Sequence, residues 1–347
     1  MIAVDAMGGD YAPRAVVGGA LKAAQKNIAV SLYGDADIIR SILQEIDTQW
    51  SRLPITIVSC SQIIEMDEEP SRATLAKKDS SLVNSVQAVA RGEASAVVSA
   101  GNSGAALVAG TLILKRVEGI LRPAIGSFLP TPSGSIFGID LGANTDCKVE
   151  HLEQFALMGH LYVSLVNGVA NPRIALLSNG AESCKGSSVV KQAHERLAQS
   201  KLNFIGNLEG RDIFDNRADV LVCDGFVGNI MLKTVQGTVR ALFGWLKTEQ
   251  EKSWLSKVGF ILAAGTFKRL KHEVDYQTKG GALLLGVQHP LVIAHGSSNE
   301  LAIEQAILFA HRVVVSKRLA LFNERLQNAL NEAHPIAQDR AQAQSSL

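Results

Sequence analysis

Short apolar, β-branched runs alternate along this chain with longer stretches of helical periodicity, and clusters of glycine, asparagine and aspartate stand at many of the junctions. Strands alternating with helices of ten or more residues are the pattern of a mainly parallel sheet covered on both faces, so a three-layer α/β/α fold is expected. The runs place strands over 2–4, 27–33, 55–59, 96–99, 136–140, 174–177, near 204, and over 220–223. Helices are expected over 15–26, 36–49, 82–91, 105–116, 151–167 and near 188–199. No Pro/Ser-rich run or shift in composition marks a boundary. Residues 1–330 are therefore read as one large α/β domain, and 331–347, which lack apolar periodicity, as a disordered tail.

Composition narrows the function. Of 347 residues, 34 are Lys or Arg and 33 are Asp or Glu, a formal net charge of +1. A protein that binds nucleic acid by neutralising phosphates carries a basic excess, so no nucleic-acid partner is expected. Hydrophobic residues make up 47% and charged ones 19%, which supports a real core and excludes a disordered chain. Cys60, Cys147, Cys184 and Cys223 form no CxxC and no Cys/His cluster at zinc spacing, so they are read as reduced thiols, with no metal site. The opening MIAVDAMGGD is acidic and lacks a basic n-region, which argues against a signal peptide. Residues 94–114, 154–172 and 281–299 carry no charge, but each is interrupted: by Gly101-Asn102-Ser103-Gly104, by His160 and Asn167, and by His289-Pro290 with His295. Those polar groups would go unsatisfied in lipid, so the three stretches are read as buried core.

Ligands of open parallel sheets bind where strands end and helices begin. Six junctions carry the informative residues: 5–10 (DAMGGD), 99–104 (SAGNSG), 140–144 (DLGAN), 178–186 (SNGAESCKG), 224–229 (DGFVGN) and 295–299 (HGSSN). All six are expected to gather at one sheet edge as an anion-binding cleft, because glycine lets backbone N–H groups face a ligand and helix N-termini favour anions. Lys185 and Lys233 add point charge suited to phosphate. No G-x-G-x-x-G follows a strand, and 180–185 has Lys-Gly where a Walker loop needs Gly-Lys. No cofactor is expected. Of eight histidines, only His295 stands in a glycine-rich strand-end loop.

These residues resemble a known family. DAMGGDYAP at 5–13, KKDSSLVNSV at 77–86, VSAGNSGA at 98–105 and DLGANTDC at 140–147 are similar to the PlsX family, the acyl-acyl-carrier-protein:phosphate acyltransferases of bacterial phospholipid synthesis. The likeness continues in order through FIGNLEGRDIF at 204–214, DVLVCDGFVGNIMLK at 219–233, GGALLLG at 280–286 and AHGSSN at 294–299. It implies a fold like the isocitrate/isopropylmalate dehydrogenases and phosphotransacetylase, and a homodimer. It also implies transfer of a long-chain acyl group from acyl carrier protein (ACP) to inorganic phosphate, the acyl-phosphate passing to a membrane glycerol-3-phosphate acyltransferase. The protein would be cytoplasmic and peripherally membrane-associated. One loop departs from the family pattern L-N-I-G-E-E-x-x-K-G: here LLSNGAESCKG has Ser178-Asn179 for the Asn-Ile pair and Ala181 for the first Glu, while Gly180, Glu182, Lys185 and Gly186 remain.

Phosphate already carries negative oxygens at neutral pH, and a thiolate with a pKa of about 8.5 leaves without much acid help. Direct attack by bound phosphate therefore needs no covalent nucleophile, only positioning and preorganised donors. Lys185, with backbone amides near Gly101–Gly104 and Gly228–Asn229, is expected to hold phosphate. Asn229 and Asn102 would supply side-chain donors, and His295 an oxyanion donor or proton shuttle. Asp5 and Asp10 would orient these groups, and Gly8, Gly9, Ser103, Asn144, Asp224 and Lys233 complete the expected phosphate and substrate set.

A separate feature lies at 245–271, read as a protruding amphipathic helical segment. Trp254, Leu255, Val258, Ile261 and Leu262 share one helical face, flanked by Lys252, Lys257, Lys268, Arg269 and Lys271. Such a face lies on anionic lipid or packs as a helix pair in a dimer, and the family resemblance favours a membrane surface. Three rival functions use the same material: a metal- and NAD-dependent dehydrogenase, for which Arg-rich strand ends are lacking, a phosphotransacylase using coenzyme A, and a catalytically impaired scaffold at a lipid surface.

Overall fold

The computed structural model describes residues 1–274 and 280–333. The chain begins β1 (Ile2–Asp5), α1 (Arg14–Gln25), β2 (Val30–Gly34), α2 (Ala36–Ile46), β3 (Ile55–Ser59), α3 (Pro70–Ala76), α4 (Ser81–Ala90), β4 (Ala96–Ser99) and α5 (Ser103–Ala109). It continues β5 (Ala124–Thr131), β6 (Gly134–Ile139), α6 (Val149–Asn167), β7 (Ile174–Leu177), α7 (Ser188–Ala198), β8 (Phe204–Leu208) and β9 (Val220–Val222). The last part is α8 (Gly225–Glu251), α9 (Trp254–Val274), β10 (Ala282–Leu285), β11 (Leu291–Ile293), α10 (Glu300–Val315) and α11 (Arg318–Ala333). The expected disordered tail falls outside the described residues except for 331–333, which finish α11.

Among the described residues eleven strands form one sheet, ordered β3-β2-β1-β4-β11-β10-β5-β6-β9-β7-β8. Alternate side chains enter opposite layers, as the two-residue period of a strand requires. In β1, Ile2 and Val4 join the core under α1, α6 and α10, while Ala3 joins the core under α4 and α5. β4, β10 and β11 alternate likewise, with Val98, Leu283 and Val292 on the first side and Val97, Leu284 and Leu291 on the second. Both faces are covered, and the three-layer α/β/α expectation holds.

One expectation is corrected. β3, β2, β1, β4 and β11 are parallel to one another, as are β6, β9, β7 and β8, but β10 and β5 stand between the two sets. β10 pairs antiparallel with both β11 and β5, and β5 antiparallel with β6. Three reversals leave the two parallel halves running in opposite directions, so their strand-end loops do not share a single edge. β5 and β10 escape the sequence patterns because β5 contains Gly126 and Pro130, and β10 is four residues long after Gly280-Gly281.

The segment at 245–271 is also more than one helix. α8 ends at Glu251 and α9 opens at Trp254, so Trp245 stands on α8 and Trp254 on α9. The break sits where Ser253 Oγ accepts from the Ser256 amide at 3.0 Å, a local bond that starts the new helix.

Candidate active site

A cavity of about 780 Å³ opens over the middle of the sheet, walled by α8 and by the loops after β1, β4, β6 and β11. Its polar end holds Asp10, Ser103, Asn229, Lys233 and His295; its other walls include Ile125, Phe128, Leu129, Phe214, Leu232 and Val239. Asp10 and His295 are brought together because the Asp10 amide donates to the Gly296 carbonyl at 2.8 Å. Gly9 makes that approach possible: its φ is +119°, and a Cβ there would stand 3.2 Å from the carbonyl oxygens of both Ala100 and Gly296.

Asn229 and Lys233 reach the cavity from one face of α8, four residues apart. The Asp224 carboxylate caps that helix, accepting from the Val227 amide at 2.8 Å. At Gly228 any Cβ would strike the Asp140 carbonyl oxygen, so α8 can seat against the 140–144 loop only with glycine there. The loop itself is organised by Asp140, fully buried, whose carboxylate accepts from the amides of Ile125, Gly142, Ala143 and Asn144 at 2.8–3.1 Å. Burial nonetheless raises the Asp140 pKa, the hydrogen bonds opposing it.

His295 takes its orientation from Ser297, whose amide and hydroxyl both lie against Nδ1, at 3.1 and 2.8 Å. The Ser297 amide can only donate to Nδ1, and the Lys233 ammonium, also only a donor, lies against Nε2, so the two contacts compete for the single proton of the neutral ring. Lys233 Nζ is in direct contact with Nε2, and the remaining N–H donors of the ammonium can hold an anionic oxygen beside the ring. Burial, then the Lys233 charge, push the His295 pKa below the ordinary histidine value, with Asp10 opposing.

Other residues singled out in the sequence stand behind this cavity or away from it. The Asn102 side chain caps α5 through the Ala105 amide (3.0 Å) and donates to the carbonyls of Glu65, Met66 and Glu68 (3.0–3.3 Å). Asn144 is buried and donates to the Pro123 carbonyl and the Asp140 carboxylate, both at 2.8 Å. Asp5 is buried beneath the glycine loops and accepts from the Ser99 hydroxyl at 2.7 Å, and that hydroxyl accepts from the Gly101 amide at 3.1 Å. Burial raises the Asp5 pKa. Gly8 packs against Gly101, while Gly104 packs on Pro70. Lys185 lies exposed in the loop after β7 and is not part of the cavity wall.

Arg240 and Gln236, which the sequence patterns did not single out, do line the cavity. Their signal was the helical spacing 229, 233, 236, 240, visible only once α8 is known to run unbroken that far. The thiols do not assemble a nucleophile: burial pushes Cys147 up to about 12 and Cys60 up to about 11, and Cys223 also rises. Among the described residues, no three or more His, Cys, Asp or Glu side chains gather as a metal site.

The sequence matches the fatty acid synthesis protein family over residues 1–320. The chain belongs to that family. A phosphate acyltransferase from Pelotomaculum thermopropionicum is 46% identical over 319 residues, covering 92% of each chain. Among solved structures, a phosphotransacetylase from Streptococcus pyogenes superposes with a TM-score of 0.56 at 18% identity, over 91% of this chain and 94% of its own. A branched-chain phosphotransacylase from Enterococcus faecalis V583 reaches 0.55 at 17%, over 90% and 99%. Such low identities speak to the fold alone, and they agree with the phosphotransacetylase-related architecture expected from the sequence. This chain thus shares its three-layer frame with those two structures, while the residues of its own cavity set its chemistry.

Proposed function

We propose that the protein is an acyltransferase that moves a long-chain fatty acyl group from a carrier thioester to inorganic phosphate. The observation that carries this is the union of a donor-lined polar end, Lys233 with His295 and Asn229, and a long apolar wall in one cavity. The family membership and the name of the 46%-identical relative support the same chemistry. A phosphate held by the Lys233 ammonium beside His295 puts one oxygen against the thioester carbonyl carbon. The C–O bond forms, negative charge collects on the carbonyl oxygen, and Asn229 is placed to donate to it. The C–S bond then breaks, leaving acyl-phosphate and a thiolate that takes its proton from solvent. Lys233 holds the phosphate, while Asn102, Asn144, Asp5 and Asp140 position the loops rather than touch substrate.

Acyl carrier protein is the proposed donor, because the cavity walls suit a long acyl chain better than an acetyl group. The protein acts as a cytoplasmic homodimer that touches the membrane peripherally, handing acyl-phosphate to a membrane glycerol-3-phosphate acyltransferase. No described helix is long and apolar enough to cross a membrane. The lipid-facing surface is α9, where Trp254, Leu255, Val258, Ile261 and Leu262 are 46–83% exposed.

The deciding assay mixes long-chain acyl-ACP with phosphate and follows acyl-phosphate and free thiol together. Formation of both by the wild type, with loss in Lys233→Ala, is expected. Release of thiol from acetyl-CoA alone would favour the coenzyme A reading, and no turnover with retained lipid binding would favour a scaffold. A stable acyl group trapped on the protein would sink direct attack.

A further inference from the structure

The cavity does not stop at the groups that face phosphate. Its α8 wall continues through Gln236 and Val239 to Phe243. There a second cavity of about 300 Å³ begins, between α8 and α9, with Leu246 and Gln250 on one wall and Phe260 and Phe267 on the other. Phe243 is common to both. Positions 232, 236, 239, 243, 246 and 250 recur at intervals of three and four, so a single face of α8 lines the two spaces in sequence. Phe260 and Phe267 stack with ring centroids 4.9 Å apart, giving the far wall an aromatic floor. The charged residues along the way, Arg240 and Lys247, have long apolar stems that can flank an alkyl chain while their heads face water.

We infer that this stripe is a chain-length ruler, in which the acyl chain lies along α8 with its head at Lys233 and Phe243 divides a near segment from a far one. The inference rests on the acyl-transfer reading and adds to it the residue that sets specificity. An α-helix rises about 1.5 Å per residue, so Lys233 and Phe243 stand ~15 Å apart along the axis. An extended chain covers about 3.5 Å for every three bonds, so that distance takes roughly a dozen carbons. Phe243 to Gln250 adds ~10 Å by the same rise, room for about eight more. The occupant is an alkyl chain because the groove starts at the donors that hold its polar head, stays apolar at Phe243, and ends beside exposed Ile261.

The probe is a ladder of n-alkylphosphonates of ten to eighteen carbons, titrated calorimetrically into the full chain as wild type, Phe243→Trp and Ala264→Trp. For the wild type each added methylene is expected to tighten binding about three- to four-fold through the whole ladder. Phe243→Trp should stop that gain near twelve carbons, weakening the sixteen-carbon ligand at least ten-fold and the ten-carbon one less than two-fold. Ala264, on the α9 wall of the second cavity, should when replaced by Trp affect only the longest ligands. Retained binding of the ten-carbon ligand doubles as the control for folding. Equal weakening at every length, or a wild-type ladder in both variants, overturns the ruler. Turnover is measured on the same preparations with acyl-ACP of matching lengths. An intact ladder without turnover supports the ruler and defeats the transfer chemistry, so the two failures are separable.

Discussion

At the residue scale the chemistry turns on Lys233 and His295, which lie 62 positions apart in the chain and are in direct contact at the polar end of the cavity. His295 is held neutral by burial first and by the neighbouring ammonium second, so it stays uncharged to lower pH than a free histidine, which titrates near about 6.5. Replacing Lys233 by Met removes the second cause and leaves the first. The His295 midpoint, read by NMR from its ring protons, should therefore move upward; an unchanged midpoint would mean that the lysine does not act on the ring. Asn229→Ala tests the donor assigned to the carbonyl oxygen. A loss of about 10²-fold in kcat is expected, the usual effect of deleting one oxyanion donor, with KM little changed. The sequence singled out all three residues. It placed Lys185 ahead of Lys233 as the phosphate-holding lysine, although each follows a glycine-rich strand end; in the structure Lys233 touches His295 and Lys185 stands outside the cavity wall.

At the scale of elements, α8 and α9 do the most that a local pattern could only half describe. The apolar face at 254–262 was legible as helical spacing, and the structure leaves that face exposed on α9. The break at 252–253 was not legible, since neither Gly nor Pro marks it and Lys252 continues a helical composition. For the proposed membrane contact, Leu255→Glu combined with Leu262→Glu, both exposed and outside the two cavities, should abolish co-sedimentation with anionic liposomes while leaving turnover of soluble substrates in place. Undiminished binding would assign the face to a helix pair between protomers instead. The strand elements show a different limit. β5 and β10 carry too few residues or too much Gly and Pro to read as strands, yet they are held on both sides by neighbours that supply the missing hydrogen bonds.

At the scale of the whole molecule, stability comes from two apolar layers on one continuous sheet. Phe322 of α11 is 1% exposed and meets Tyr162 of α6 edge-on at 6.1 Å, closing the layer at the far end of the chain. Phe322→Ala should lower unfolding stability by about 3–5 kcal/mol in a denaturant titration, as expected for an emptied aromatic core site; a change under about 1 kcal/mol would mean that α11 is not part of the cooperative core. The alternation of β-branched runs with helical periods determined the three layers from sequence, because each side chain's burial depends on a period of two or of three to four residues and is written locally. The glycine-rich strand ends and the family motifs likewise marked Asp10, Ser103, Asn229, Lys233 and His295 as candidates. What only the tertiary structure decided is which of them meet. Strand direction depends on pairing between residues far apart in sequence, so the reversals through β10, β5 and β6 had no local signature. Lys185 follows β7, one strand farther from the centre of the sheet than β9, and stands outside the cavity, while α8 and the loop after β11 carry Asn229, Lys233 and His295 into it.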